Sequence, residues 1–161
     1  MTTILLLLAF FFPTAGLSTP PPSPPISPAA SILSDPYSPP LYGPLKVTKP
    51  FAKPEKNWLP GHRGVDLAAL PGSAIYAPAS GVIHYSGVIN GVATVSIMHF
   101  DGIRTTYQAV STTLSKGDPV VRGVPFGVLV AGDLNWGAIY AGEYIDPMSL
   151  LKPPKIRLKP L

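Results

Sequence analysis

The sequence predicts an all-β domain, built as a sandwich or a partly open barrel of short strands with little helix. Three observations carry this. First, β-type runs of four to nine residues recur from Val65 onward: Val65–Ala69, Ala74–Ala77, Gly81–Tyr85, Val92–Phe100, Ile103–Gln108, Gly127–Ala131 and Trp136–Tyr140. Second, tight-turn signals separate them: Pro71-Gly72, Asn90-Gly91, Asp101-Gly102, Lys116-Gly117-Asp118 and Ala141-Gly142. Third, no window of helical length repeats its apolar residues with a period near ~3.6.

The chain of 161 residues divides into three parts. Residues 1–18 read as a signal peptide or an N-terminal anchor. The apolar run Ile4–Phe12 is far shorter than the ~20 residues of a membrane-spanning helix. Thr14-Ala15-Gly16 and Gly16-Leu17-Ser18 both suit cleavage, although Met1-Thr2-Thr3 brings no Lys or Arg. The expected location is outside the membrane, in the cell wall or beyond it. Membrane attachment is expected only through an uncleaved leader.

Residues 19–44 form a proline-rich linker, PPPSPPISPAASILSDPYSPPLYGP from Pro20 to Pro44. Proline removes backbone donors, so this stretch favours extended polyproline II and acts as a spacer. Residues 45–161 are then one modest domain. The chain has no cysteine, which excludes disulfides, thiolate metal ligands and a lipid-attachment cysteine. The domain must rest on its apolar core.

Within the domain, Val92–Met98 alternates, with Val92, Thr94, Ser96 and Met98 on one side and Ala93, Val95 and Ile97 on the other. Pro147–Leu151 reads as a single helical turn, capped by Asp146 and opened by proline. The tail carries Lys152, Lys155, Arg157 and Lys159 around Ile156 and Leu158. It reads as a solvated strand, with contact to anionic wall polymers as the alternative. The net charge of +4 suits an anionic surface. Nucleic acid is not an expected partner, because no Lys/Arg stripe with interleaved aromatics occurs.

The chemistry concentrates in Gly61-His62-Arg63-Gly64-Val65-Asp66. Along a straight strand, four residues span ~13 Å, too far for one metal ion to hold both His62 and Asp66. Pro60, Gly61 and Gly64 argue against a helix. A bend at the glycines would bring the two side chains together, which gives Gly64 a conformational use. Imidazole plus carboxylate is a ligand pair that zinc accepts.

The stretch GHRGVDLAALPGSAIYAPASGVIHYSG resembles the start of the lysostaphin/LytM-type peptidase domain. KGDPVVRGVPFG, from Lys116 to Gly127, is similar to that family's second hairpin. WGAIYAGEYIDP, from Trp136 to Pro147, is similar to its end. The likeness runs in register from about Phe51 to Leu151. It implies an antiparallel β-sheet core with a groove, in proteins that use one zinc ion to cut peptide cross-bridges of peptidoglycan.

By that resemblance His62 and Asp66 match the first two zinc ligands. Asn135 stands where the third ligand, a histidine, is expected. Asp133 stands at the histidine that assists the activated water, and Ala109 at the further catalytic histidine. An asparagine carbonyl is neutral and binds zinc more weakly than imidazole. Lowering the pKa of a metal-bound water also needs a base nearby. Asp133 would supply a ligand or a base if it faced the same cavity as Asn135. Zinc is therefore left open as a cofactor, and so is enzymatic activity.

Tyr107, Trp136 and Tyr140 flank the expected groove and are candidates to line a substrate or partner site, with a place in the core as the alternative. Arg63 and His99 read as structural, and His84 as either wall-facing or solvated. The leading expectation is an exported cell-wall protein whose peptidase-like domain is non-catalytic. It would bind peptidoglycan or regulate a wall hydrolase. The alternatives are an active zinc metalloendopeptidase held by His62, Asp66 and Asn135 or Asp133, and a structural wall-associated scaffold.

Overall fold

Alternating apolar residues and glycine-bearing turns build two antiparallel sheets. A computed structural model describes residues 37–56 and 59–152. The leader, the linker up to residue 36 and the tail from residue 153, with Lys155, Arg157 and Lys159, lie outside the described residues. The strands are β1 (Val47–Lys49), β2 (Gly64–Leu67), β3 (Ala74–Tyr76), β4 (Gly81–Ile89), β5 (Val92–His99), β6 (Arg104–Gln108), β7 (Val110–Ser111), β8 (Pro119–Val120), β9 (Pro125–Leu129), β10 (Leu134–Tyr140) and β11 (Glu143–Ile145).

The larger sheet has eight strands in the order β1-β2-β10-β6-β5-β4-β8, with β11 also paired to β10. The smaller sheet has the order β3-β9-β7. The all-β, antiparallel expectation is met. Asn90 (φ 50°) and Gly91 (φ 79°) close the β4–β5 hairpin. Ala141 (φ 49°) and Gly142 (φ 81°) close β10–β11. Positive φ at both central residues matches the right-handed twist of paired strands. Pro71-Gly72 is different. It joins β2 to β3, which belong to separate sheets, so it is a turn between layers and not a hairpin.

The strands that sequence reading does not single out are β1, β7, β8 and β11, each two or three residues long. Segments this short have no period to read, and pairing alone defines them. The turn at Pro147–Leu151 forms as expected, as a 3-10 helix whose cap Asp146 accepts from Met148 N at 2.9 Å.

The core takes alternate residues from each layer. Val65 and Leu67 of β2, Val95 and Ile97 of β5, Tyr107 of β6 and Leu134 and Trp136 of β10 are fully buried. Ile75 of β3 and Leu129 of β9 meet them from the smaller sheet. The packed chain also reaches back before Leu45. Tyr37 and Leu41 are buried, and Tyr37 N donates to Leu150 O at 3.2 Å. Residues 37–44, which read as the end of the linker, therefore pack on the domain. Apolar Tyr and Leu side chains find a surface there that the proline count does not foretell.

Candidate functional site

The site forms where β2, β10 and β6 lie side by side. Asp66 is paired with Asn135, and Asn135 with Gln108. Side chains directly opposite in a sheet share a face, so these three form one row. Their sequence neighbours Leu67, Trp136 and Tyr107 point the other way, into the core.

His62 joins the row from outside the strand. It pairs with Ala52, through Ala52 N to His62 O and His62 N to Ala52 O, both 2.9 Å. From Gly64 the chain pairs with β10 instead. This change of partner at Arg63 brings His62 Nε2 to 3.2 Å from Asp66 Oδ1, so the two side chains converge as anticipated. The glycine's part is different from the one expected. Gly64 does not carry a positive φ. A Cβ there would lie 2.6 Å from Trp136 O, so Gly64 is needed for the close approach of β2 to β10.

His62 Nδ1 lies 2.8 Å from Pro50 O. A carbonyl only accepts, so Nδ1 carries a proton and donates. Asn135 Nδ2 donates to Asp66 Oδ1 at 2.7 Å and faces His62 Nε2 at 3.2 Å. The amide's two hydrogens thus answer one acceptor each. The reverse amide orientation would set two oxygens against each other at the Asp66 contact.

One imidazole and one carboxylate are donors of the kind zinc takes, and the third corner is an amide nitrogen. A catalytic zinc uses three protein ligands and an open position. As arranged, the set is one ligand short. Among the described residues no group of three His, Cys, Asp or Glu side chains converges to hold a metal ion.

Asp133 does not make up the shortfall in this arrangement. It is exposed ahead of β10, and its Oδ2 accepts from Thr48 Oγ1 of β1 at 2.7 Å. Ala109 sits between β6 and β7 with φ 62°, and its methyl group has no proton to transfer. Tyr107 and Trp136 are in the core and do not line the groove. The two-residue period explains this, because Asn135 and Gln108 take the outward positions. Tyr107 OH donates to Thr105 Oγ1 at 2.9 Å, and burial pushes its phenol up. Tyr140 is exposed at the end of β10, outside the lining.

The groove itself has a volume of about 530 Å³. His62 and Asn135 stand at one end of its lining, and Arg104, Thr106, Gln108, His84, Ile139 and Tyr144 extend it across the sheet. Arg104, Thr106 and Gln108 escape a motif search because they belong to no motif. Their signal is register: once Thr105 and Tyr107 point inward, residues 104, 106 and 108 must point out. His99 is buried away from the groove, as its structural reading anticipated. Its Nε2 lies 2.7 Å from Thr105 Oγ1 and its Nδ1 3.2 Å from Ser80 O.

A β-sheet groove with a His–Asp pair at one end defines a peptidase-like domain of the lysostaphin/LytM type. The chain belongs to peptidase family M23, whose family model matches residues 60–147. The Mycobacterium tuberculosis protein Rv2891 is 40% identical over 134 residues, covering 76% of this chain and 54% of that protein. The chain thus spans about half the length of the curated relatives it matches. Helicobacter pylori Csd3 superposes with a TM-score of 0.60 at 27% identity, covering 74% of this chain and 37% of that one. The catalytic domain of the antimicrobial peptidase lysostaphin from Staphylococcus simulans superposes with a TM-score of 0.56 at 24% identity, covering 66% and 92%. That likeness establishes the shared fold.

Proposed function

We propose that this chain is an exported cell-wall protein whose M23 domain binds the peptide part of peptidoglycan, or regulates a wall hydrolase, without cutting. One observation carries the reading. Asn135 places N–H donors, not a metal ligand, between His62 and Asp66. The amide bridges two acceptors, His62 Nε2 and Asp66 Oδ1. Ala109 and Asp133, at the positions of the family's two proton-handling histidines, support it. One has no titratable group, and the other is bonded to Thr48.

The test is metal analysis of the purified chain, followed by incubation with insoluble peptidoglycan. Expected are less than one zinc per chain, saturable binding to the wall material and no released fragments. One zinc per chain, lost in His62→Ala together with fragment release, overturns the reading.

A second reading, a zinc metalloendopeptidase, is favoured by one feature. Metal-binding histidines usually donate their second ring nitrogen to a carbonyl or carboxylate, and His62 does so to Pro50. The same two measurements separate the readings.

A further inference from the structure

The groove carries a charge that the His62–Asp66–Asn135 corner does not use. Two arginines and two histidines line it, and the carboxylate of the corner, Asp66, is bonded to Asn135. Arg63 is engaged locally, donating to Leu59 O at 3.1 Å with its guanidinium 5.7 Å from the centre of the Tyr144 ring. Arg104 is different. It is half-buried on β6, and Nη1 lies 3.3 Å from His84 Nε2. Arginine has only donors, so His84 Nε2 is the acceptor and aims the guanidinium. Among the described residues no carboxylate lies within ion-pair distance of Arg104.

A half-buried guanidinium with most of its fork unused suits a planar anion, because a carboxylate accepts two parallel N–H bonds from it. At the Arg104 end the lining has no acidic side chain, so the local field has the same sign. The spacing adds a second constraint. Gln108 is paired with Asn135 at one end of the groove, and Arg104 with Ile139 at the other. Four residues of strand separate the two rows, ~13 Å at ~3.3 Å per residue. An extended peptide rises at the same rate, so about four of its residues span the distance. Thr106 lies between the ends and Gln108 beside the corner, and they offer a hydroxyl and an amide to its backbone.

We infer that Arg104, aimed by His84, is a carboxylate-binding subsite, taking a free carboxylate of an extended peptide of about four residues whose other end lies at the His62–Asp66–Asn135 corner. This rests on the peptide-binding reading given above. Arg104 selects the ligand by its charge, and His84 is a positioning residue.

The experiment is calorimetric titration of the full chain with a peptidoglycan stem tetrapeptide carrying free carboxylates, and with the same peptide fully amidated. A charge-assisted pair at this position corresponds to roughly tenfold in affinity or more. The acid peptide is expected to bind about that much tighter. Arg104→Gln should erase the preference, Arg104→Lys should keep part of it, and His84→Ala should weaken it with the charge still present. Circular dichroism of each variant checks that the sheet is intact. Equal binding of the two peptides by the wild type, or an unchanged preference in folded Arg104→Gln, overturns the subsite while the non-catalytic reading stands. Preference for the acid accompanied by cleavage, seen by mass spectrometry, supports the subsite and overturns the non-catalytic reading. Failure of both peptides to bind overturns the subsite and the peptide-binding reading together.

Discussion

Asn135 decides what the His62–Asp66 pair is. Its amide bonds to Asp66 Oδ1 at 2.7 Å and approaches His62 Nε2 at 3.2 Å, holding both side chains where a cation would otherwise draw them. An imidazole there would offer a lone pair in place of two hydrogens. Outer-shell partners of a metal alter affinity by roughly 10- to 100-fold, and a direct ligand counts for more. Asn135→His is therefore expected to raise zinc affinity by at least about 100-fold, read by equilibrium dialysis. On the proposed non-catalytic reading hydrolysis should still be absent, because Ala109 and Asp133 remain. No gain in zinc binding would show that the corner lacks more than one ligand. The identity of all three residues was legible in the motifs. The direction of the amide was not, because a hydrogen-bond network exists only once β2 and β10 are side by side.

At the scale of elements, the pairing of β2 with β10 sets the corner. Gly64 and Gly137 are directly opposite, and the Trp136 carbonyl occupies the space a Cβ at Gly64 would need. Gly64→Ala is expected to cost about 1–3 kcal/mol, the usual range for overpacking a tight contact. Urea unfolding measures it, and a loss below ~0.5 kcal/mol would mean that the two strands separate freely. The same shift should lengthen the Asn135–Asp66 bond. Local sequence foretold a special glycine and missed its reason, since the neighbour it admits lies 72 residues away. The longer strands were readable from alternation and turns. β1, β7, β8 and β11 were not, because two or three residues carry no period. Tyr107 and Trp136 show the same limit in another form. They are strand aromatics beside the groove in sequence, and only the register with Asn135 and Gln108 turns them into the core.

Across the whole molecule, His99 ties together parts that are distant in the chain. Its ring contacts Ser80 O and Thr105 Oγ1, and Tyr37 packs edge-on against it with centroids 5.1 Å apart. Tyr37 OH in turn donates to Asp101 at 2.9 Å. Burial holds the His99 imidazole below its usual 6.5, partly opposed by the Ser80 carbonyl and the Asp101 charge. The unfolded chain therefore binds the proton more readily than the folded one. The stability that neutral His99 contributes is fully present above pH 6.5 and is lost as pH falls through the lowered folded value. Thermal melts between pH 7 and pH 5 should show a decline that His99→Gln flattens, and an unchanged slope in that variant would assign the decline to other groups. By itself the sequence determined the all-β class, the family motifs and the three residues of the corner, because alternation, turn glycines and motif spacing are local properties of the chain. Only the tertiary structure decided that Asn135 donates into the corner, that Asp133 turns to Thr48, that Arg104 and His84 share a groove and that residues 37–44 belong to the domain. Each of those depends on which strand lies beside which, and that is settled by packing between residues far apart in sequence.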